Sequence, residues 1–151
     1  MRRDIVEALI KRVEQLPYHQ FMGFNVSKWD DGYCELTLPM NPNVRNIYGA
    51  VHGGIFYSVC DVAAFIAIFP LLPEDTLAVT SDINVSVLQA VQDGPVRFCA
   101  TVLKMGKRMC FIESKAFDEN DNLVVTARIT KSLVHYPQMK EVLKEVEEQT
   151  S

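Results

Sequence analysis

The chain has no surplus of positive charge. Its 15 Lys and Arg are outnumbered by 19 Asp and Glu, a net charge of −4. That balance argues against nucleic acid as a partner, because nucleic-acid binders generally carry a basic stripe. It also has no CxxC pair. Cys34, Cys60, Cys99 and Cys110 are widely spaced and fall mostly inside apolar strand or helix patterns, as buried thiols of a reducing cytoplasm do. No uncharged apolar block follows the N-terminal arginines, so nothing directs the chain to export and the expected location is cytoplasmic. His19, His52 and His135 are scattered and no cysteine or carboxylate stands at ligand spacing, which gives no expectation of a metal. The GxSxG elbow of serine hydrolases is missing, as are phosphate-loop and dinucleotide signatures. Repeats, low-complexity tracts and interdomain linkers are absent too. With 151 residues, 48% apolar and 23% charged, one globular domain over residues 1–151 is expected.

What the chain does have is one long apolar stretch, Asn46 to Phe69, NIYGAVHGGIFYSVCDVAAFIAIF. A polar lead-in with His52, Gly53 and Gly54 runs into a segment that is apolar on every side and interrupted by one acid, Asp61. A helix is expected from Gly54 to Phe69, stopped by Pro70 and Pro73. Its helical part would rise only about 22 Å, short of the roughly 30 Å bilayer core, so it reads as a buried helix with no membrane partner. An ionised carboxylate on such a helix is costly unless it is neutralised, paired or used.

The flanks follow two periods. Ile5, Val6, Leu9, Ile10, Val13 and Leu16 recur at helical spacing, predicting an N-terminal helix over about 4–16 that ends before Pro17. From Phe24 the period shifts to two and a hairpin turns at Asp30, Asp31 and Gly32. In residues 77–87, Leu77, Val79, Ile83, Val85 and Val87 are expected on one strand face, with Ser81 the exception. Strands are predicted through VRFCATVLKM and MCFIESKAF, joined at Gly106, Lys107 and Arg108, and through LVVTARITKSLVHY. After Pro137 a helical stripe over about 138–149 reads as a short docking helix or a frayed tail. The pattern is α+β: one long central helix held against a curved antiparallel sheet.

Two features bear on chemistry. Gly53 and Gly54 stand at a helix N-terminus, where free N–H groups and the dipole favour negative charge. Such a place suits a carbonyl oxygen that becomes negative during attack, although both glycines also suit plain turn geometry. Asp61 lies seven or eight residues further on, roughly 11 to 12 Å along the axis. Oxyanion donor and general base each work at about 3 Å, so one small carbonyl cannot touch both from one chain. If both serve the same bond, two subunits contribute, through central helices paired antiparallel across a two-fold axis with two equivalent composite sites. The plain alternative for Asp61 is a buried acid bonded to backbone or to Ser58.

The string N-x-x-G-x-x-HGG followed by Asp61 nine positions after His52 resembles the hotdog-fold acyl-CoA thioesterases, in particular the phenylacetate-degradation type. VTSDINVSVLQAVQDG, the Gly-Lys-Arg hairpin and LVVTARITKSLVH extend the likeness over about residues 20–136. The resemblance implies hydrolysis of an acyl-CoA thioester to a carboxylic acid and coenzyme A, with no cofactor beyond the coenzyme A of the substrate. It implies a homodimer with composite sites, possibly a dimer of dimers. Gly53 would donate its N–H to the thioester carbonyl, assisted by Asn46 and with Gly54 beside it. Asp61 of the facing subunit would act as base on water, or as a nucleophile forming an anhydride. Thr80 stands where the family often has a serine that orients the water, and His52 would sit near the sulfur. Lys107 and Arg108 resemble the position that meets coenzyme A phosphates. Phe21, Met22, Phe56, Tyr57 and Phe65 are either an acyl pocket or core. Competing activities are an enoyl-CoA hydratase or dehydratase, and a non-catalytic acyl-CoA binding protein.

Overall fold

A computed structural model describes residues 1–150. Helix α1 (Arg3–Gln15) buries one stripe, Ile5, Val6, Leu9, Ile10 and Val13. A second helix, α2 (Pro17–Met22), follows at once. The expected end of the first helix before Pro17 holds, yet proline is at home at the first position of a helix, where its missing N–H is not needed; here it also starts one. The hairpin β1 (Asn25–Asp30) and β2 (Tyr33–Leu38) leads to a 3-10 turn over Pro42–Val44. Helix α3 runs over Gly53–Ile68 and a further 3-10 turn over Phe69–Leu71. Strands β3 (Thr76–Val87), β4 (Val96–Met105), β5 (Met109–Phe117) and β6 (Leu123–His135) complete the sheet, and α4 (Met139–Thr150) closes the described chain.

The six strands form one antiparallel sheet in the order β1-β2-β4-β5-β6-β3. The sheet wraps α3, whose Cys60, Ala63, Ala64 and Ala67 are fully buried; side chains this small let the helix axis approach the strands. Phe56 on the helix packs on Phe98 of β4 with ring centroids 6.1 Å apart. With its 3-10 turn the helix is long and apolar enough to cross a membrane by length and composition alone, but most of it is buried inside the fold, as a core helix is. Helix α4 docks on α1 rather than fraying. Leu143 and Val146 are buried, Arg12 donates to Gln149 at 2.6 Å, and Arg2 pairs with Glu147.

Strand β3 departs from the expected alternation. Thr80 pairs with Lys131 and Asp82 with Thr130, leaving Ser81 as an extra residue. Such a bulge reverses which residues face inward. Ala78 therefore joins Ile83 and Val85 against the core, Thr80 reaches α3, and Val79 is half exposed.

The two sheet edges are treated differently. On β1, the Val26 N–H donates to Glu14 of α1 at 2.7 Å and the Arg3 guanidinium covers Trp29 at 4.3 Å. On β3, all twelve residues are exposed or half-buried. An open edge of that length is a pairing surface unless something covers it.

Cys34, Cys60 and Cys110 are buried without disulfides. Burial pushes all three thiols up, Cys60 to about 12. At neutral pH a thiol reagent is therefore expected to label the folded protein only at half-exposed Cys99, and all four cysteines in denaturant. Unfolded thiols ionise near 8.5, so this contribution to stability is complete below that pH and is lost as the pH rises towards 12. Urea unfolding from pH 7 to 10 checks the sign: a midpoint that rises with pH over that range would contradict it.

Candidate active site

The entry to α3 is built by its own capping. His52 is the N-cap residue, in extended conformation, and its Nδ1 accepts the Gly54 N–H at 2.9 Å. That bond places the imidazole proton of the neutral ring on Nε2. It also removes Gly54 from the set of available donors, which corrects the expectation that both glycines face a ligand. Among the described residues no acceptor takes the N–H of Gly53, the first helical residue: the neighbouring amides bond elsewhere, His52 to Val44 O and Ile55 to His52 O. A Cβ on Gly53 would meet nothing within 4 Å, so the space beside its Cα is open.

Asn46 organises the loop before the helix. Its Oδ1 accepts from the Tyr48 and Ala50 N–H groups at 2.9 and 3.1 Å, and its backbone N–H donates to Ala50 O. Gly49, at φ 80°, closes the turn in the left-handed region that a side chain would disfavour. These bonds occupy the acceptor end of the carboxamide, and no protein group among the described residues takes its N–H groups. Ile47 and Tyr48 project from the tip at 93% and 83% exposure.

Further along α3, Gly54, Tyr57, Ser58, Asp61 and Phe65 lie on one face, which the chain's own sheet leaves uncovered. Asp61 Oδ1 accepts from Thr80 Oγ1 at 2.8 Å and from Lys131 Nζ at 2.9 Å. Lys131 Nζ also donates to Thr80 Oγ1 at 2.8 Å. The three groups thus form a closed ring of hydrogen bonds, and Oδ2 is left without a partner among the described residues. A carboxylate held by one oxygen and open at the other suits proton abstraction.

The remaining expected residues disperse. Phe56 lies in the core at 1% exposure and Met22 at 0%, whereas Tyr57 and Phe21 are half exposed. Tyr18 of α2 bonds to Ser58 of α3 at 2.6 Å, tying the short helix to the uncovered face. Lys107 and Arg108 sit on the β4–β5 turn, where a Cβ on Gly106 would come within 2.8 Å of Met109 O. Lys107 borders a cleft of about 390 Å³ shared with Leu71, Thr76, Leu133 and His135. That cleft lies at the far end of α3 from Gly53.

A family model described as the thioesterase superfamily matches residues 48–125, the span from the Asn46 loop through Asp61 and Thr80 to the start of β6. The chain belongs to the thioesterase superfamily. A protein of Saccharolobus solfataricus named as an esterase is 30% identical over 122 residues, covering 81% of this chain and 79% of that one. The 1,4-dihydroxy-2-naphthoyl-CoA hydrolase of Escherichia coli is 22% identical over 114 residues, 76% of this chain and 84% of that one. Among solved structures, a Haemophilus influenzae thioesterase superposes with TM-score 0.79 at 23% identity, over 86% of this chain and 90% of that one. A Streptococcus pneumoniae hypothetical thioesterase, solved with coenzyme A, gives 0.70 at 20% identity, over 76% and 88%. The helix wrapped by a curved sheet is the hotdog fold of these thioesterases.

Lys131 of this superfamily member was not singled out from the sequence. The signal was present: Ala127 and Ile129 face inward on β6, so the next alternate position, 131, must face inward too. Its side chain is 2% exposed, against 35% for Asp61. Removing the anion from a buried ammonium leaves an uncompensated charge. Asp61→Asn is therefore expected to lose about 3 kcal/mol of stability, and adding Lys131→Met should recover most of that loss. Urea unfolding of the two variants measures both; a double variant less stable than Asp61→Asn would contradict the pairing.

Proposed function

We propose that the protein hydrolyses an acyl-CoA thioester to the free acid and coenzyme A. The observation that carries this reading is the unpaired Gly53 N–H at the start of the helix that also bears a half-tethered Asp61. The thioester carbonyl is polarised by Gly53, with the carboxamide N–H of Asn46 as a second donor from the same loop. Asp61 Oδ2 takes a proton from water as its oxygen attacks the carbonyl carbon; Thr80, bonded to Oδ1, steadies the carboxylate. Collapse of the tetrahedral intermediate breaks the carbon–sulfur bond, and the Nε2–H of His52 is the nearby donor towards the departing sulfur. Lys107 and Arg108 carry the charge that would meet coenzyme A phosphates. The coenzyme A title of one structural neighbour and the acyl-CoA name of one relative support the substrate class. Four unpaired cysteines suit a reducing compartment such as the cytoplasm.

Gly53 and Asp61 are too far apart on one helix to share a carbonyl, so the reading requires a homodimer. The open β3 edge, the uncovered α3 face and the projecting Ile47 and Tyr48 are the surfaces such a pairing would cover. Each interface then holds two composite sites, with Gly53 from one protomer and Asp61 from the other.

The backbone donor can be deleted cleanly. Gly53 is the first helical position, where proline is favoured. His52 has ψ 134°, the conformation that proline demands of the residue before it. Gly53→Pro is expected to fold normally yet lose about 10²–10³ in kcat, read as thiol release from a panel of acyl-CoAs. Asp61→Asn should be similarly inactive. Refolding the two inactive variants together then restores about one quarter of wild-type activity, since half of the dimers are mixed and each mixed dimer has one intact site. Full activity in either single variant, or no recovery on mixing, would sink the proposal.

A further inference from the structure

We propose that Lys131 is a positioning residue for this hydrolysis, holding Asp61 so that Oδ2 alone faces the water. The inference rests on the thioester-hydrolase reading, and goes beyond it by assigning work to a residue on β6.

The geometry shows a group built to restrain a carboxylate. Lys131 Nζ reaches Asp61 from β6 and Thr80 from β3, and it lies 5.4 Å from the centre of the Phe65 ring. Those contacts take up two of the three ammonium protons and set the third side of the group against an aromatic ring. Thr80 and Lys131 are direct cross-strand partners, so the β3 bulge at Ser81 is what brings the Thr80 hydroxyl to the same side as the amine. Cys110, opposite Lys131 on β5, is the other titratable group against it. Its thiol is pushed up by burial and pulled back by the Lys131 charge.

Stability does not explain a lysine here. The adjoining inward positions on β6 are Ala127 and Ile129, and a well-packed apolar side chain in place of a buried ion pair is often neutral or stabilising. What an apolar residue could not do is supply a second donor to Oδ1. With Thr80 alone, the carboxylate pivots about one hydrogen bond; with both donors its plane is fixed. Displacing a reacting group by about 1 Å can cost about 10²-fold in rate, so the restraint belongs with catalysis.

The test is steady-state kinetics on the full-length protein with its preferred acyl-CoA. Lys131→Met keeps the length and loses the charge; it is expected to lower kcat by about 10–10²-fold with KM little changed, and circular dichroism reports its fold. Lys131→Ala opens the amine's site, and added n-propylammonium is expected to restore part of kcat while n-propanol, of similar shape and no charge, does not. Rescue by both additives alike would reduce Lys131 to a space-filler and overturn the proposal. So would full activity in Lys131→Met alongside an inactive Asp61→Asn, an outcome that leaves the hydrolysis reading intact. Full activity in Asp61→Asn would instead remove the base, and this inference with it.

Discussion

An ammonium group shut away from water sets the terms at the centre of this molecule. Lys131 has three protons to place and no solvent to receive them. A lone buried cation costs several kcal/mol, so its neighbours are constrained together: an acid on α3, a hydroxyl on β3, an aromatic ring one helical turn beyond the acid. The β3 bulge serves the same end. Without the extra residue at Ser81, Thr80 would point to the outer face of the sheet and the ring of three hydrogen bonds would be one member short. A local irregularity in an edge strand is thereby tied to the orientation of a carboxylate on the central helix.

The second constraint is a surface left unfinished. The β1 edge is guarded by Glu14 and by Arg3 on Trp29, but the β3 strand is exposed or half-buried along its whole length. The uncovered face of α3 lies next to it, carrying the residues on which the chemical reading depends. Coverage of one sheet edge and exposure of the other is a form of specificity, because it leaves one direction in which strands can be added. In the proposed dimer this direction and the separation of Gly53 from Asp61 call for the same partner.

Much of the fold was readable because its signals are local and repeated. Period-two and period-3.6 apolar patterns, together with the prolines and the Asp-Gly turn, placed every strand and three helices to within a residue or two. What escaped depended on partners distant in sequence or on a residue type with two uses. In sequence Pro17 reads as a stop; in the fold it also starts a helix. Ser81 is an exception to alternation in the sequence, and its meaning as a bulge emerges only against the register of β6. The HGG string drew attention to both glycines, yet only the His52 ring contact shows that Gly54 is already occupied. Lys131 was hidden by a reading that treats lysine as surface, because its acceptor lies 70 residues away.

The capping histidine sharpens what the site can do. A helix N-terminus presents several free N–H groups, and an anion there is usually shared among them. Here His52 takes one, and in the proposed reaction the Gly53 amide is the backbone donor left for the charge that develops on the carbonyl. The same contact puts the neutral ring's proton on Nε2, on the residue that caps the helix rather than beside the carboxylate two turns on. In that reading donor and acid chemistry gather at the helix N-terminus, while base chemistry sits two turns on, where β3 and β6 hold Asp61. A thioester that must be polarised at one point and attacked by activated water at another needs both, and no bending of one continuous helix brings them together. In the proposed dimer, separation along α3 thus matters as much as the residues themselves: it would keep the anionic base away from the amide that stabilises an anion, and make their meeting depend on a second chain.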